Sequence, residues 1–329
     1  MSIGRPRDGT LSVAWQATEL FRYVWRPADA AVESPRPYLH PVRTLAGELV
    51  SAFRPPDHVW HKGISWTLPN LGPENFWGGP TYQRGYGYRQ LANNGRMRHD
   101  RFDAVRAGRD RVTIAERLTW ITESGEDWIT EQRRLNASVL DASVLSSAAP
   151  GSAAPASAAP ASGAPDSGGP AGGGAWRLGF STVMRNTSGR PLPIGSPGTE
   201  GRADGGYGGL FWRGPAWLDG GTVLTPDGPG GDEVMGRRGP WLGFTGSHAG
   251  LGRAATLLFC DRPENFSFPS QWFVRTGIYA CACPAPFFSS EYLLADGDAL
   301  ELSYDIVIAD GALDVAACGD FADRARREH

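Results

Sequence analysis

The chain has 329 residues, with 32 Lys plus Arg against 35 Asp plus Glu, a formal net charge of −3. That near balance gives no basic footprint for nucleic acid and no polybasic patch for a membrane surface. A hydrophobic content of 41% with twelve Trp describes a globular protein large enough to bury a core.

Residues 11–25 alternate, Leu11, Val13 and Trp15 followed by Phe21, Tyr23 and Trp25, which predicts two short strands around a polar step. Prolines at 35, 37 and 41 exclude helix from the next segment and predict an extended pass ending in a turn at Ala46-Gly47. A brief strand over Leu49 to Phe53 is expected to stop at Pro55-Pro56.

The stretch from Asp57 to Trp77 concentrates the chemistry. It holds two of the six histidines, three tryptophans and Lys62, the one lysine beside 31 arginines. His58 and His61 are three apart, and on a turn between Pro56 and Gly63 they share a side. With Asp57 and His40 they supply proton carriers, and Lys62 offers a compact cation that can lose its proton where arginine cannot. If a divalent metal binds, His40, His58 and His61 are its ligands, but an isolated HxxH is a weak zinc signature and the expectation is no cofactor.

Gly and Tyr crowd residues 78–88 and predict a loop lining a cleft. Val112, Ile114, Leu118 and Trp120 share one parity, and 126–135 should return as the partner strand after a Ser-Gly turn. His99, between Arg98 and Asp100, reads as part of a solvated turn. Residues 146–175 contain only Ser, Ala, Pro and Gly apart from Asp166. Such a segment has almost nothing to bury, so it is expected to be a disordered insertion loop within a single domain spanning 1–329.

Strand patterns bounded by Gly, Pro or Asp continue to 311. Leu300, Leu302, Tyr304, Ile306 and Ile308 face one way, and only 313–328 looks helical. The fold expected is all-β: a large antiparallel β-sandwich, of which the mutarotase-like supersandwich is one form, with a short C-terminal helix. Cys281 and Cys283 should be buried thiols on one face of a strand. No N-terminal stretch reads as charged, apolar and cleavable, and no run approaches a membrane helix, so a cytoplasmic protein is expected.

A second cluster, Asp261 to Arg275, adds Trp272 as a stacking platform and Arg275, with the distant Arg213, as clamps for carboxylate or hydroxyls. Trp66, Asn75, Trp77 and His248 complete the expected binding set. Dinucleotide, P-loop and G-x-S-x-G signatures are missing from the sequence.

Five stretches carry a resemblance: PRPYLHPVRTLAGE, DHVWHKGISW with NFWGG, GGLFWRG, GSHAGLGRAATLLF and DRPENFSFPSQWFVRTGIYA. Together they resemble a bacterial family of unknown function labelled the PmoA or methane oxygenase PmoA family. The Asp-His-Pro-His-His of that family stands here as Asp57-His58-Val59-Trp60-His61, and its Trp-His pair as Trp272-Phe273. The resemblance implies a sugar-processing β-sandwich, and the label implies a metal-dependent oxygenase.

Three readings follow. One is an epimerase- or lyase-like enzyme that uses His58 and His61 on a sugar-like small molecule, oriented by His40 and Asp57 and assisted by Lys62 and Arg275. The second is a non-catalytic sugar-binding module stacking its ligand on Trp66, Trp77 and Trp272. The third is the oxygenase. Neither nucleic acid nor membrane is an expected partner, and oligomeric state is not readable from the residues.

Overall fold

Period-two hydrophobicity builds two large antiparallel sheets in the computed structural model, which describes residues 1–140, 174–248, 250 and 252–327. The first sheet runs, neighbour to neighbour, Ser2–Ile3, Thr10–Trp15, Thr18–Val24, Tyr38–Val42, Ile64–Thr67, Gly209–Arg213, Cys281–Ala285 and Gln271–Arg275. The second runs Gly228–Gly230, Thr222–Thr225, Trp241–His248, Arg253–Asp261, Ala299–Asp310, Ala175–Asn186, Asp127–Leu140, Arg111–Ile121 and Arg96–Ala107. The all-β sandwich expected from the sequence is the fold observed.

The core lies between the sheets. Phe21 stacks on Trp176 at 5.6 Å, Trp66 on Phe180 at 5.7 Å, and Trp212 meets Phe244 edge-on at 5.1 Å. Each pair joins one sheet to the other, and large aromatic rings bury the most apolar surface per residue. Leu300, Leu302, Tyr304, Ile306 and Ile308 all enter this core, while Val307 points to the opposite face.

Both outer faces are also partly covered. Helix Val315–Arg327 lays Cys318, Phe321 and Ala322 against Leu258 and Val307 of the second sheet. On the outer face of the first sheet, Phe211, Phe273, Cys281 and Cys283 pack with Trp77 beneath Trp60, Tyr207 and Tyr279. All four cysteines are free and buried, and burial pushes the Cys281 thiol up to about 12.

Two local expectations change, and a third falls almost wholly outside the described residues. Leu49 to Phe53 forms only isolated bridges, Arg43 with Leu49 and Phe53 with Lys62. His99 is not in a solvated turn: it sits in strand Arg96–Ala107 with its side chain buried, and its Nδ1 is 2.6 Å from Glu116 Oε2. Strand alternation turns His99 inward while Arg98 and Asp100 face out, so the flanking charges misread its side. The insertion expected over 146–175 lies outside the described residues through 173, and Ala175 already belongs to a strand.

Candidate functional site

The centre of the first sheet brings Ile64–Thr67 beside Gly209–Arg213, with Phe211 opposite Ser65 and Trp212 opposite Ile64. Alternation then divides each strand. Trp66, Leu210 and Trp212 enter the core, while Phe211 and Arg213 rise from the outer face. Two successive turns precede this junction: His58 N–H donates to the Pro55 carbonyl at 3.0 Å, and His61 N–H to that of His58 at 2.9 Å. They place the two imidazoles on one side with centroids 4.6 Å apart and planes 9° from parallel.

Arg213 organises this pair. Its Nη2 lies 3.1 Å from Asp57 Oδ1 and 3.0 Å from Oδ2, and its Nη1 donates to Asp57 Oδ2 at 3.0 Å and to His61 Nδ1 at 2.9 Å. A guanidinium has only donors, so His61 Nδ1 must accept, and neutral His61 carries its proton on Nε2. His58 is the reverse case. Its Nδ1 sits 2.8 Å from Asp57 Oδ2, which accepts, so Nδ1 carries the proton and Nε2 the lone pair.

Burial holds the His61 pKa well below the ordinary histidine value, reinforced by the charges of His58, Arg213 and Arg36. Burial would raise the Asp57 carboxyl, but hydrogen bonds from His58 and Arg213 outweigh it and keep Asp57 below its usual range. The two histidines therefore differ in chemistry: one buried donor, and one imidazole backed by a carboxylate.

Around them lies a hollow of about 360 Å³ on the outer face of the first sheet, within the size range of small-molecule sites. The space between the two sheets, by contrast, is packed core. The hollow's walls are Trp60, Trp77, Tyr88, Tyr207, Phe273 and Tyr279, with Ile278, Arg202 and Arg275 also lining it. Tyr88 and Tyr207 hydroxyls meet at 3.0 Å, and Tyr279 lies under the Arg213 guanidinium at 3.8 Å.

The loop bearing Trp77 depends on two glycines and one amide. Asn75 Oδ1 accepts from the N–H groups of Trp77 at 2.8 Å and Gly78 at 2.9 Å, and its Nδ2 donates to the Gly79 carbonyl at 3.1 Å. Gly79 has φ +68° and an added Cβ would stand 2.7 Å from the Trp60 ring, so only glycine lets that ring lie flat on the loop. Trp60 is held from behind by buried Arg36, whose Nη2 donates to its carbonyl at 2.7 Å.

Of the residues expected from the sequence, His58, His61, Trp77 and Arg275 line the hollow, and Asp57 and Arg213 stand directly behind. The others are elsewhere. Trp66 and Trp272 are 0% and 1% exposed in the core, and the parity that buries Trp272 presents its neighbour Phe273 to the hollow. Lys62 is sealed between Asp29 and Glu33, the latter at 2.7 Å, and Glu33 is further gripped by Arg54. A point-like ammonium fits that slot, which does not line the hollow.

His40 pairs with Ser51 at 2.9 Å and stacks on Phe53, with burial lowering its pKa to about 4. It does not reach the pair at 58 and 61. His248 is exposed at the end of a second-sheet strand, and Asn75 shapes a loop rather than the cavity surface. In the second cluster, Asp261 is tied up by Asn265, Ser270 and the Arg262 backbone. Tyr88, Arg202, Tyr207, Ile278 and Tyr279 complete the walls without a chemical signal of their own in the sequence beyond the Gly-Tyr density at 78–88, whereas Trp60 lies in the tryptophan-rich stretch 57–77 and Phe273 beside Trp272.

Among the described residues no group of three His, Cys, Asp or Glu could hold a metal ion. The donor set shows why: His61 accepts at Nδ1 from Arg213 and carries its proton on Nε2, and His40 stands apart beside Ser51, so the lone pair on His58 Nε2 has no two further donors beside it. Among those residues too, no helix is long and apolar enough to cross a membrane.

No curated protein matches this chain. Among solved structures it is similar to a GH36 alpha-galactosidase, AgaA, from Geobacillus stearothermophilus in complex with raffinose, at 11% identity and a TM-score of 0.37. That match covers 89% of this chain but 40% of the other, so this chain spans well under half of that protein's length. A family described only as one of unknown function, DUF6807, matches residues 10–322, and the chain belongs to it.

Proposed function

We propose that the hollow is a proton-transfer site for a sugar-like small molecule, with His58 as the base and acid and His61 as a neutral hydrogen-bond donor. The observation that carries this is the opposite wiring of two stacked imidazoles at an aromatic wall. Asp57 orients the His58 ring and stabilises it when charged, leaving Nε2 to take a proton from substrate carbon or hydroxyl and later return it. His61 Nε2–H donates to an oxygen that gains negative charge as that proton leaves. Arg213 is a positioning residue that keeps both rings in these roles. Epimerisation and elimination are the reaction classes such a pair serves.

A non-catalytic sugar-binding role is the second reading, favoured by the six aromatic side chains in the walls. The oxygenase implied by the PmoA-type resemblance needs a metal that this donor set does not fit, and no step is derived through one. The separating experiment is a panel of sugars and keto-sugars assayed with His58→Ala and His61→Ala. A catalytic pair loses turnover by about 10²- to 10⁴-fold with affinity nearly kept. Loss of affinity alone supports the binding module, and a panel with neither turnover nor binding rejects both.

A further inference from the structure

Among the described residues the hollow is lined by Arg202 and Arg275 together with His58 and His61, and by no acidic side chain. The carboxylate of Asp57 stands behind the wall with its oxygens taken by Arg213 and His58. Neither Arg202 nor Arg275 forms an ion pair among the described residues. Each guanidinium instead lies over a wall ring, Arg202 at 5.1 Å from the Tyr88 centroid and Arg275 at 5.7 Å from that of Phe273. The Tyr88 hydroxyl engages part of the Arg202 fork, and the N–H groups that remain on each guanidinium, with no carboxylate to satisfy them, can grip an anion.

Position reinforces this. Arg275 shares its strand's outer parity with Phe273, so it rises from the sheet beside the ring it covers. Arg202 comes from the loop before Gly209–Arg213 and overlies Tyr88, which lies in the small two-stranded hairpin that pairs Thr81–Gln83 with Gly87–Arg89. The two cations thus reach the cavity from independent elements. Apolar walls lower the local dielectric and strengthen their field inside it. A neutral ligand that covered them would strip water from two cations and supply no counter-charge, which is costly.

We infer that the ligand of this hollow is an anionic sugar derivative, its carboxylate or phosphate held by Arg275 and Arg202 and its ring set against the aromatic walls. This rests on the reading above that a sugar-like molecule occupies the hollow. It adds charge as the property by which the protein selects among such molecules.

The test is calorimetric binding of neutral hexoses and pentoses, their uronic and aldonic acids, and their 6- or 5-phosphates. It is run on the full chain and on Arg202→Gln, Arg275→Gln and Arg275→Lys, with thermal melts confirming that each variant folds. The expected result is that an anionic member binds about tenfold or more tighter than the neutral sugar of the same stereochemistry. Either glutamine variant should erode that ratio, with Arg275→Lys retaining part of it. Preference for acids over phosphates, or the reverse, identifies the group. Neutral and anionic partners binding alike, or a preference that survives both glutamine variants, overturns the charge selection but leaves the sugar reading standing. No binding by any member removes both.

Discussion

His58 and His61 stack at 4.6 Å, yet one donates its Nδ1 proton to Asp57 while the other accepts at Nδ1 from Arg213. Two chemically identical side chains three residues apart are thereby fixed in opposite tautomers, and the residue that divides them lies more than 150 positions further along. A base needs a lone pair facing its substrate and a donor needs a proton there. The Asp57–Arg213 pair supplies both conditions from one ion pair.

This wiring is directly observable. Nitrogen-15 spectra of the histidine rings near neutral pH should show His61 as the Nε2–H tautomer, with His58 protonated at Nδ1. Arg213→Met should release the His61 assignment and lower stability by about 1–3 kcal/mol in urea, a partial cost because Asp57 remains accessible to water. A His61 ring found as the Nδ1–H tautomer would contradict the arrangement.

Folding lowers the pKa of both His61 and His40, by burial first in each case. Between the folded values and the ordinary value near 6.5, the unfolded chain binds protons that the folded chain refuses. The stability contributed is therefore complete above about pH 6.5 and is lost as pH falls toward about 4, the folded value of His40. Denaturation midpoints at pH 7.5, 6 and 5 should decline in that order, and His40→Gln should flatten part of the slope.

Gly79→Ala should be among the more damaging small substitutions in the chain. The methyl group would sit 2.7 Å from the Trp60 ring at a φ of +68°. Backbone strain and overpacking together cost about 2–5 kcal/mol. A loss below about 1 kcal/mol in equilibrium unfolding would mean that Trp60 does not rest on that loop.

Trp272 and Tyr88 separate packing from binding. Trp272→Ala removes a core ring whose Nε1 donates to the Gly239 carbonyl at 2.9 Å, and should cost about 3–5 kcal/mol. Tyr88, 43% exposed at the hollow, should be replaceable by Ala within about 1 kcal/mol while ligand affinity falls. Equal effects of both substitutions on stability would count against this division.

Much of the architecture is local and was legible in the residues. Alternation located the hairpin over Thr10–Val24, the strand Ala299–Asp310 and the buried thiols. Pro56 and Gly63 bracket the turn that sets His58 and His61 on one side. Each of these depends on backbone preferences within a few residues.

What covers the outer face of the first sheet was not legible, and the candidate site turned on that. In Trp272-Phe273-Val274-Arg275 both parities carry large apolar side chains, because loops cover the outer face of this sheet as the second sheet covers its inner face. Gln271 and Arg275 share the parity of Phe273, and Ser65 and Thr67 flank Trp66, so alternation already turned Trp272 and Trp66 inward; it could not tell that loops would wall the outer face into a hollow. Strand order was equally hidden. Only the pairing of Ile64–Thr67 with Gly209–Arg213 delivers a guanidinium to Asp57 and His61, and long-range pairing is decided by the global packing of two sheets, not by the residues adjacent in the chain.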